Sequence, residues 1–119
     1  MNVVVLGASD KTDRYSYKAV KMLADKGHKP LPIHPVLKNI EGLPVYARIQ
    51  EITEPIHTIT IYVSAENSIK MSSDLLVSGA TRVIFNPGSE NPVLAAQLQK
   101  KGIEVLEACT LVMLSTGQF

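Results

Sequence analysis

The stretch Gly7-Ala8-Ser9-Asp10-Lys11-Thr12-Asp13-Arg14-Tyr15-Ser16 gathers Lys11, Arg14 and the hydroxyls of Ser9 and Ser16 beside a glycine. Residues of these types in one short loop are suited to hold phosphate. The loop follows Val3-Val4-Val5-Leu6, an apolar run too short for a free-standing helix and rich in β-branched residues, which reads as a buried parallel strand. A helical pattern begins immediately after the loop. A strand that ends in Gly and feeds a helix N-terminus makes an anion site, because the free N–H groups of the first turn and the positive end of the dipole point above the strand. Arg at a helix start opposes that dipole unless an anion is present, which marks Arg14 as a candidate ligand contact. The plain alternative is a tight strand-to-helix turn, since these glycines do not match the G-x-G-x-x-G fingerprint.

The elements that must position this loop alternate in type. A helix is predicted from about Tyr15 to Lys26, stopped by Gly27. A second strand covers Lys29–His34. Residues 35–51 read as irregular, with one helical turn near Arg48–Ile52. The third strand is Thr58–Val63, followed by a helix over about Glu66–Val77 that ends at Gly79. The fourth strand is Arg82–Phe85. Asn91 reads as the N-cap and Pro92 as the first residue of the next helix, which ends at Gly102. The fifth strand is Ile103–Leu106, and a last helical piece covers about Ala108–Leu114. This alternation predicts an α/β fold in three layers, a doubly wound parallel sheet of five strands with helices on both faces. The expected strand order is 3-2-1-4-5, with the switch point between strands 1 and 4. Pro30 and Pro32 lie two apart in strand 2, so both missing N–H groups face the same neighbour. Pairing is expected to be intact toward strand 1 and weak toward strand 3.

Composition bounds the rest. At 119 residues the chain is expected to form one domain, spanning 1–119. A net charge of +1 provides no broad basic face for duplex nucleic acid, and the aromatics, two Phe and four Tyr, are scattered rather than set out for base stacking. No apolar stretch is long enough to span a bilayer, and Gly7 and Asp10 interrupt any signal-peptide layout. The single Cys allows no internal disulfide, which fits a reducing cytoplasm. His28, His34 and His57 show no metal-like spacing with one another or with Cys109. Cys109 opens the last helix but reads as a small buried hydrophobe. The run Leu111-Val112-Met113-Leu114 reads as core or as a contact with a second copy or another protein.

Taken in order, Gly7-Ala8-Ser9 with Arg14 and Ser16, Pro32-Ile33-His34-Pro35, Gly42-Leu43-Pro44-Val45-Tyr46, Tyr62-Val63, Asn86-Pro87-Gly88 and Cys109 resemble the family of small CoA-binding proteins. The Rossmann-like domain of that family is similar to the CoA-binding domain of the succinyl-CoA synthetase α subunit, and the resemblance covers essentially the whole chain. It implies that the loop with Gly7, Ala8, Ser9, Lys11, Arg14 and Ser16 holds the CoA diphosphate. It also implies that His34, Pro35, Tyr62 and Val63 flank the adenosine and that Asn86, Pro87 and Gly88 border the pantetheine arm. Members usually carry Asn where His34 sits and often Gln-x-Gly where Asn86-Pro87-Gly88 sits. The synthetase's phosphorylated histidine lies in a second domain outside this resemblance.

The residues of Leu31–Lys38 include no carboxylate to accept hydrogen bonds from an NAD ribose; the nearest is Glu41. The resemblance, with this missing carboxylate and with no Ser–His–acid set or carboxylate pair to assign to a reaction, gives the reading of a binder of CoA or acyl-CoA without catalysis: a carrier, a sensor or a detached subunit. Two alternatives stand beside it: a small NAD(P)- or nucleotide-dependent enzyme, and a protein–protein interaction module with a vestigial ligand loop.

Overall fold

A computed structural model describes the whole chain, Met1–Phe119. Its strands are β1 (Asn2–Leu6), β2 (Lys29–Ile33), β3 (Asn39–Ile40), β4 (Leu43–Pro44), β5 (Thr58–Ile61), β6 (Arg82–Phe85) and β7 (Glu104–Glu107). Its α-helices are α1 (Tyr15–Asp25), α2 (Ala65–Ile69), α3 (Ser72–Leu76), α4 (Pro92–Lys100) and α5 (Thr110–Ser115).

β1 sits inside the sheet because it has no polar face to offer water. Val3, Val4 and Val5 are wholly buried, and burying one such branched side chain contributes about 1.5–3 kcal/mol. Successive side chains alternate between two cores. Val4 and Leu6 join Leu31, Ile59, Ile61, Val83 and Phe85 beneath Leu75 of α3 and Leu94 and Leu98 of α4. Val3 and Val5 pack with Val20 and Leu23 of α1 and Leu114 of α5 on the opposite face. The fold is thus Rossmann-like α/β, a five-stranded parallel sheet between two helical layers. No helix is long and apolar enough to cross a membrane.

The strand order is β2-β1-β5-β6-β7, which is 2-1-3-4-5 when only the five sheet strands are counted. The expected order 3-2-1-4-5 is therefore corrected, and the switch point moves to the crevice between β1 and β5. The physical reason lies in β2. Leu31 and Ile33 turn their backbone groups toward β1, in register with Val4 and Leu6. Pro30 and Pro32 turn theirs outward, where no N–H is available for another ladder. Only two bonds form on that outer side: Tyr46 N–H donates to Pro32 O at 2.9 Å, and His34 N–H donates to Tyr46 O at 3.0 Å. β2 is consequently an edge strand capped by Tyr46, and the third strand pairs with β1 instead.

Local departures have local causes. Residues 39–44, expected to be irregular, form the hairpin β3–β4 around Glu41 and Gly42, both at positive φ of 53° and 80°. A two-residue turn of this kind usually announces itself as Asn-Gly, and Glu41 hid it. The helix expected over 66–77 is broken into α2 and α3. Lys70 and Met71 make i→i−3 bonds, and the Ser72 hydroxyl takes Ile69 O at 2.6 Å, competing for the helical carbonyl. The N-cap expected at Asn91 forms, its side chain accepting from Leu94 N–H at 3.1 Å ahead of Pro92. In the C-terminal apolar run Met113 and Leu114 enter the core, whereas Val112 stays exposed.

Candidate functional site: a cleft over the first helix

β1 delivers Gly7 to the switch point at φ +88°, a conformation open to glycine at little cost. A Cβ there would stand 2.8 Å from Val63 Cγ1, so the close approach of the β1 and β5 ends also demands glycine. Ala8 is buried and its N–H donates to Ile33 O at 3.0 Å, which ties the loop to β2. The Ser9 hydroxyl accepts from Lys11 N–H at 3.0 Å, and Lys11 O accepts from Arg14 N–H at 3.0 Å. These two bonds fold the loop so that it runs straight into α1.

The start of α1 is uncapped. Arg14 occupies the N-cap position with extended backbone and makes no side-chain cap bond. The first intrahelical bond is donated by Lys18 to Arg14 O, and Tyr15, Ser16 and Tyr17 donate no backbone N–H to any protein acceptor. Unsatisfied first-turn donors favour an anion placed before them. Arg14, Tyr15 and Ser16 of this helix start line a cleft of about 800 Å³ together with Gly7, Ser9, Asp10, Lys11, Asp13, His34, Leu37, Tyr62 and Pro87. Neither Lys11 nor Arg14 is in an ion pair.

The cleft therefore brings together Gly7, Ser9, Lys11, Arg14, Ser16, His34, Tyr62 and Pro87 of the residues singled out by sequence. Ala8, Pro35, Val63, Asn86 and Gly88 do not line it. Val63 buttresses Gly7. Gly88, at φ +91°, has its N–H on Glu90 Oε1 at 2.9 Å. Asn86 is 3% exposed and its amide is committed to protein. Nδ2 donates to Thr60 Oγ1 at 2.7 Å and to Ile61 O at 2.9 Å, while Oδ1 accepts from Thr110 N–H at 2.9 Å. Ser89 adds a hydroxyl bond to Ile61 O at 3.0 Å. The loop after β6 is thus clipped to the ends of β5 and α5, and Pro87 is left as its surface toward the cleft.

Sequence reasoning missed Asp10, Asp13, Tyr15 and Leu37. The two aspartates were visible in the loop itself, and they balance Lys11 and Arg14. The loop's side chains thus carry no net charge, and its electropositive feature is the set of free N–H groups at the start of α1. Leu37 is placed by His34, whose Nδ1 accepts from Val36 and Leu37 N–H groups, both at 3.0 Å. A short acceptor side chain would make the same turn, and His34 keeps Nε2 free beside the cleft. Glu41, the carboxylate nearest to the end of β2 in sequence, accepts from the Tyr17 hydroxyl and pairs with Lys21 at 3.7 Å. That hydrogen bond, with Lys21 beside it, holds Glu41 below its ordinary pKa and raises that of Tyr17. Across the crevice, burial pushes the Tyr62 hydroxyl up to about 12. Cys109 is half-buried as the N-cap residue of α5.

A Rossmann-like sheet with a cleft at its switch point, opening on an uncapped helix, defines the class. Residues 1–115 match the family model described as a CoA binding domain, and the chain belongs to that family. It is 25% identical over 104 residues to the uncharacterized protein YneT of Bacillus subtilis strain 168, covering 87% of this chain and 77% of that protein. A crystal structure described only as that of an uncharacterized protein superposes with a TM-score of 0.93 at 36% identity, over 99% of this chain and 97% of the other. The dinucleotide-forming acetyl-coenzyme A synthetase 1 of Ca. Korarchaeum cryptofilum, in complex with phosphate and ADP, shares the fold at 20% identity. Its TM-score is 0.78, over 90% of this chain and 25% of that one.

Proposed function

We propose that the protein binds CoA or an acyl-CoA in this cleft and carries, senses or presents it without transforming it. The carrying observation is the α1 N-terminus, where the N–H groups of Tyr15, Ser16 and Tyr17 have no protein acceptor and Tyr15 and Ser16 line the cleft beside Arg14 and Lys11. In this reading the diphosphate lies over that helix end. The adenosine lies toward His34 and Pro35, with Tyr62 flanking it across the crevice, and the pantetheine arm passes Pro87. The geometry supports this direction, because the ends of β2, β1, β5 and β6 carry His34, Gly7, Tyr62 and Pro87 in that spatial order. Three strand spacings make that line about 14 Å long. The cleft volume is within the usual range for small-ligand sites, about 300–1,000 Å³. Use without catalysis is supported by His34, whose Nδ1 is spent on backbone amides. It is supported too by the fold-sharing synthetase, in which a domain of this shape is one quarter of a larger chain. A cytoplasmic location is part of this proposal, and the single cysteine, which allows no internal disulfide, is compatible with it.

The test is a thermal-shift and calorimetric panel of CoA, acetyl-CoA, NADP, NAD and ATP on the wild type and Arg14→Ala. CoA is expected to bind more tightly than NADP, and NADP more tightly than NAD. Arg14→Ala should weaken CoA by about 1.5–3 kcal/mol, the scale of a hydrogen bond to a charged group, with the melting temperature of the free protein unchanged. NAD binding at least as tight as CoA would reverse the reading in favour of a nicotinamide or nucleotide enzyme.

A further inference from the structure

Of the three residues expected beside the pantetheine arm, two are not at the cleft surface. Asn86 has its amide committed to Thr60, Ile61 and Thr110, and Gly88 does not line the cleft. Pro87 remains there, and so does Tyr15, the first residue of α1. Tyr15 is 66% exposed and its ring joins neither core. Its place on the helix decides which end of the cleft it serves. Ser16, Ala19, Val20 and Leu23 are the buried residues of α1 and face the sheet. Tyr17 hydrogen-bonds Glu41 of the β3–β4 turn, on the flank beyond β2. Tyr15 stands about 200° round the helix from Tyr17, and so on the opposite flank. There α1 packs on α5. The start of α5 is tied in turn to β5 and to the loop after β6 through Thr110. Tyr15 therefore belongs to the Pro87 end of the cleft, away from His34. Lys18 Nζ, 5.6 Å from the ring centroid, is itself an exposed side chain and leaves the ring open to a ligand.

We infer that Tyr15 is the residue that holds the pantetheine arm of bound CoA, its ring forming with Pro87 the wall along which the arm lies. The inference rests on the CoA reading and adds to it the residue that distinguishes CoA from its nucleotide half. The chemistry of the arm calls for such a wall. It is an uncharged chain of methylenes, methyls and amides, to which the cations and free N–H groups of the loop offer little. An aromatic ring covers the carbon chain, and its hydroxyl suits the amides. The exposed ring contributes little to folding, so its burial is a gain that appears only with ligand present. A ligand that ends at its nucleotide phosphates stops over the α1 N-terminus and does not cover the ring.

The experiment titrates wild type, Tyr15→Ala and Tyr15→Phe with CoA and with adenosine 3′,5′-bisphosphate, which lacks the pantetheine arm. Tyr15→Ala keeps the backbone N–H and the helix, and its ligand-free melting temperature should match that of the wild type. It should bind CoA about five- to tenfold more weakly, the scale of covering part of an exposed ring, and bind the bisphosphate as the wild type does. Tyr15→Phe should restore most of the CoA affinity. The chain has no Trp, so Tyr15→Trp installs a single indole at the proposed wall. Its emission should shift on addition of CoA and stay in place with the bisphosphate. Unchanged CoA affinity in Tyr15→Ala, equal losses for both ligands, a Tyr15→Phe variant as weak as Tyr15→Ala or an indole indifferent to CoA would each overturn the inference. Wild type that binds neither compound would instead overturn the CoA reading itself.

Discussion

Replacing Asn86 by Ala tests whether this residue is a clip rather than a ligand contact. The side chain makes three buried hydrogen bonds, and their loss is unequal. Ile61 O keeps the Ser89 hydroxyl and the Asn86 backbone N–H, and Thr60 keeps its bond to Thr110. Each of the two Nδ2 bonds therefore contributes only its net value, about 0.5–1.5 kcal/mol. Thr110 N–H is different: at the start of α5 it has no acceptor but Asn86 Oδ1, and leaving it unsatisfied costs about 1–3 kcal/mol. The expected loss is about 3–4 kcal/mol, which lowers the melting temperature of a chain this size by roughly 10–20 °C. Urea unfolding followed by circular dichroism reads it directly, provided the m-value is unchanged so that the shift in midpoint is a shift in stability. Asn86→Asp is the isosteric companion. It can still accept from Thr110 but loses both donors and sets a buried carboxylate against Ile61 O, so at neutral pH it should be no more stable than the alanine variant. A loss below about 1 kcal/mol for Asn86→Ala, well under the sum of these bonds, would refute the clip and return the side chain to the ligand.

Two further outcomes follow from the same structure. Gly7→Ala must adopt φ +88° and press a methyl to 2.8 Å from Val63 Cγ1; the strain should cost about 1–3 kcal/mol in thermal unfolding, and no loss would mean that the loop relaxes freely. His28 sits by the Met1 amine at 3.2 Å, with Phe119 edge-on to its ring. Burial first, then the Met1 amine, Arg82 and His57, lowers its pKa from 6.5. The unfolded chain therefore binds this proton more readily than the folded one. Stability should be highest above pH 6.5 and fall as pH drops through 6.5 toward the lowered folded value. His28→Gln should flatten that part of a stability–pH curve, and an unchanged slope would remove His28 as its source.

Much of this architecture is legible from the chain alone, wherever the determinant is local. Val3–Leu6 has no polar face and must be interior. Gly27 stops α1, and Asn91-Pro92 starts α4, because caps act within one turn of the backbone they satisfy. The loop from Gly7 to Arg14 is readable as an anion site for the same reason: donors, dipole and cations are contiguous in sequence. Even the one-sided bonding of β2 is written in Pro30 and Pro32. What those prolines imply for strand order is not, because which strand takes the second side of β1 depends on where the connection over residues 34–57, held to the outer side of β2 through Tyr46, delivers Thr58–Ile61. Side-chain direction is equally nonlocal. Asn86 and His34 are polar residues at the crevice in either case, but only packed strand ends show that the Asn86 amide is consumed by Thr60, Ile61 and Thr110. The same packing turns His34 Nδ1 onto its own loop. The chain by itself specifies which residues reach the cleft's neighbourhood; tertiary contact decides which of their atoms are free to bind, since a hydrogen-bonding group already satisfied inside the protein has little left to offer a ligand.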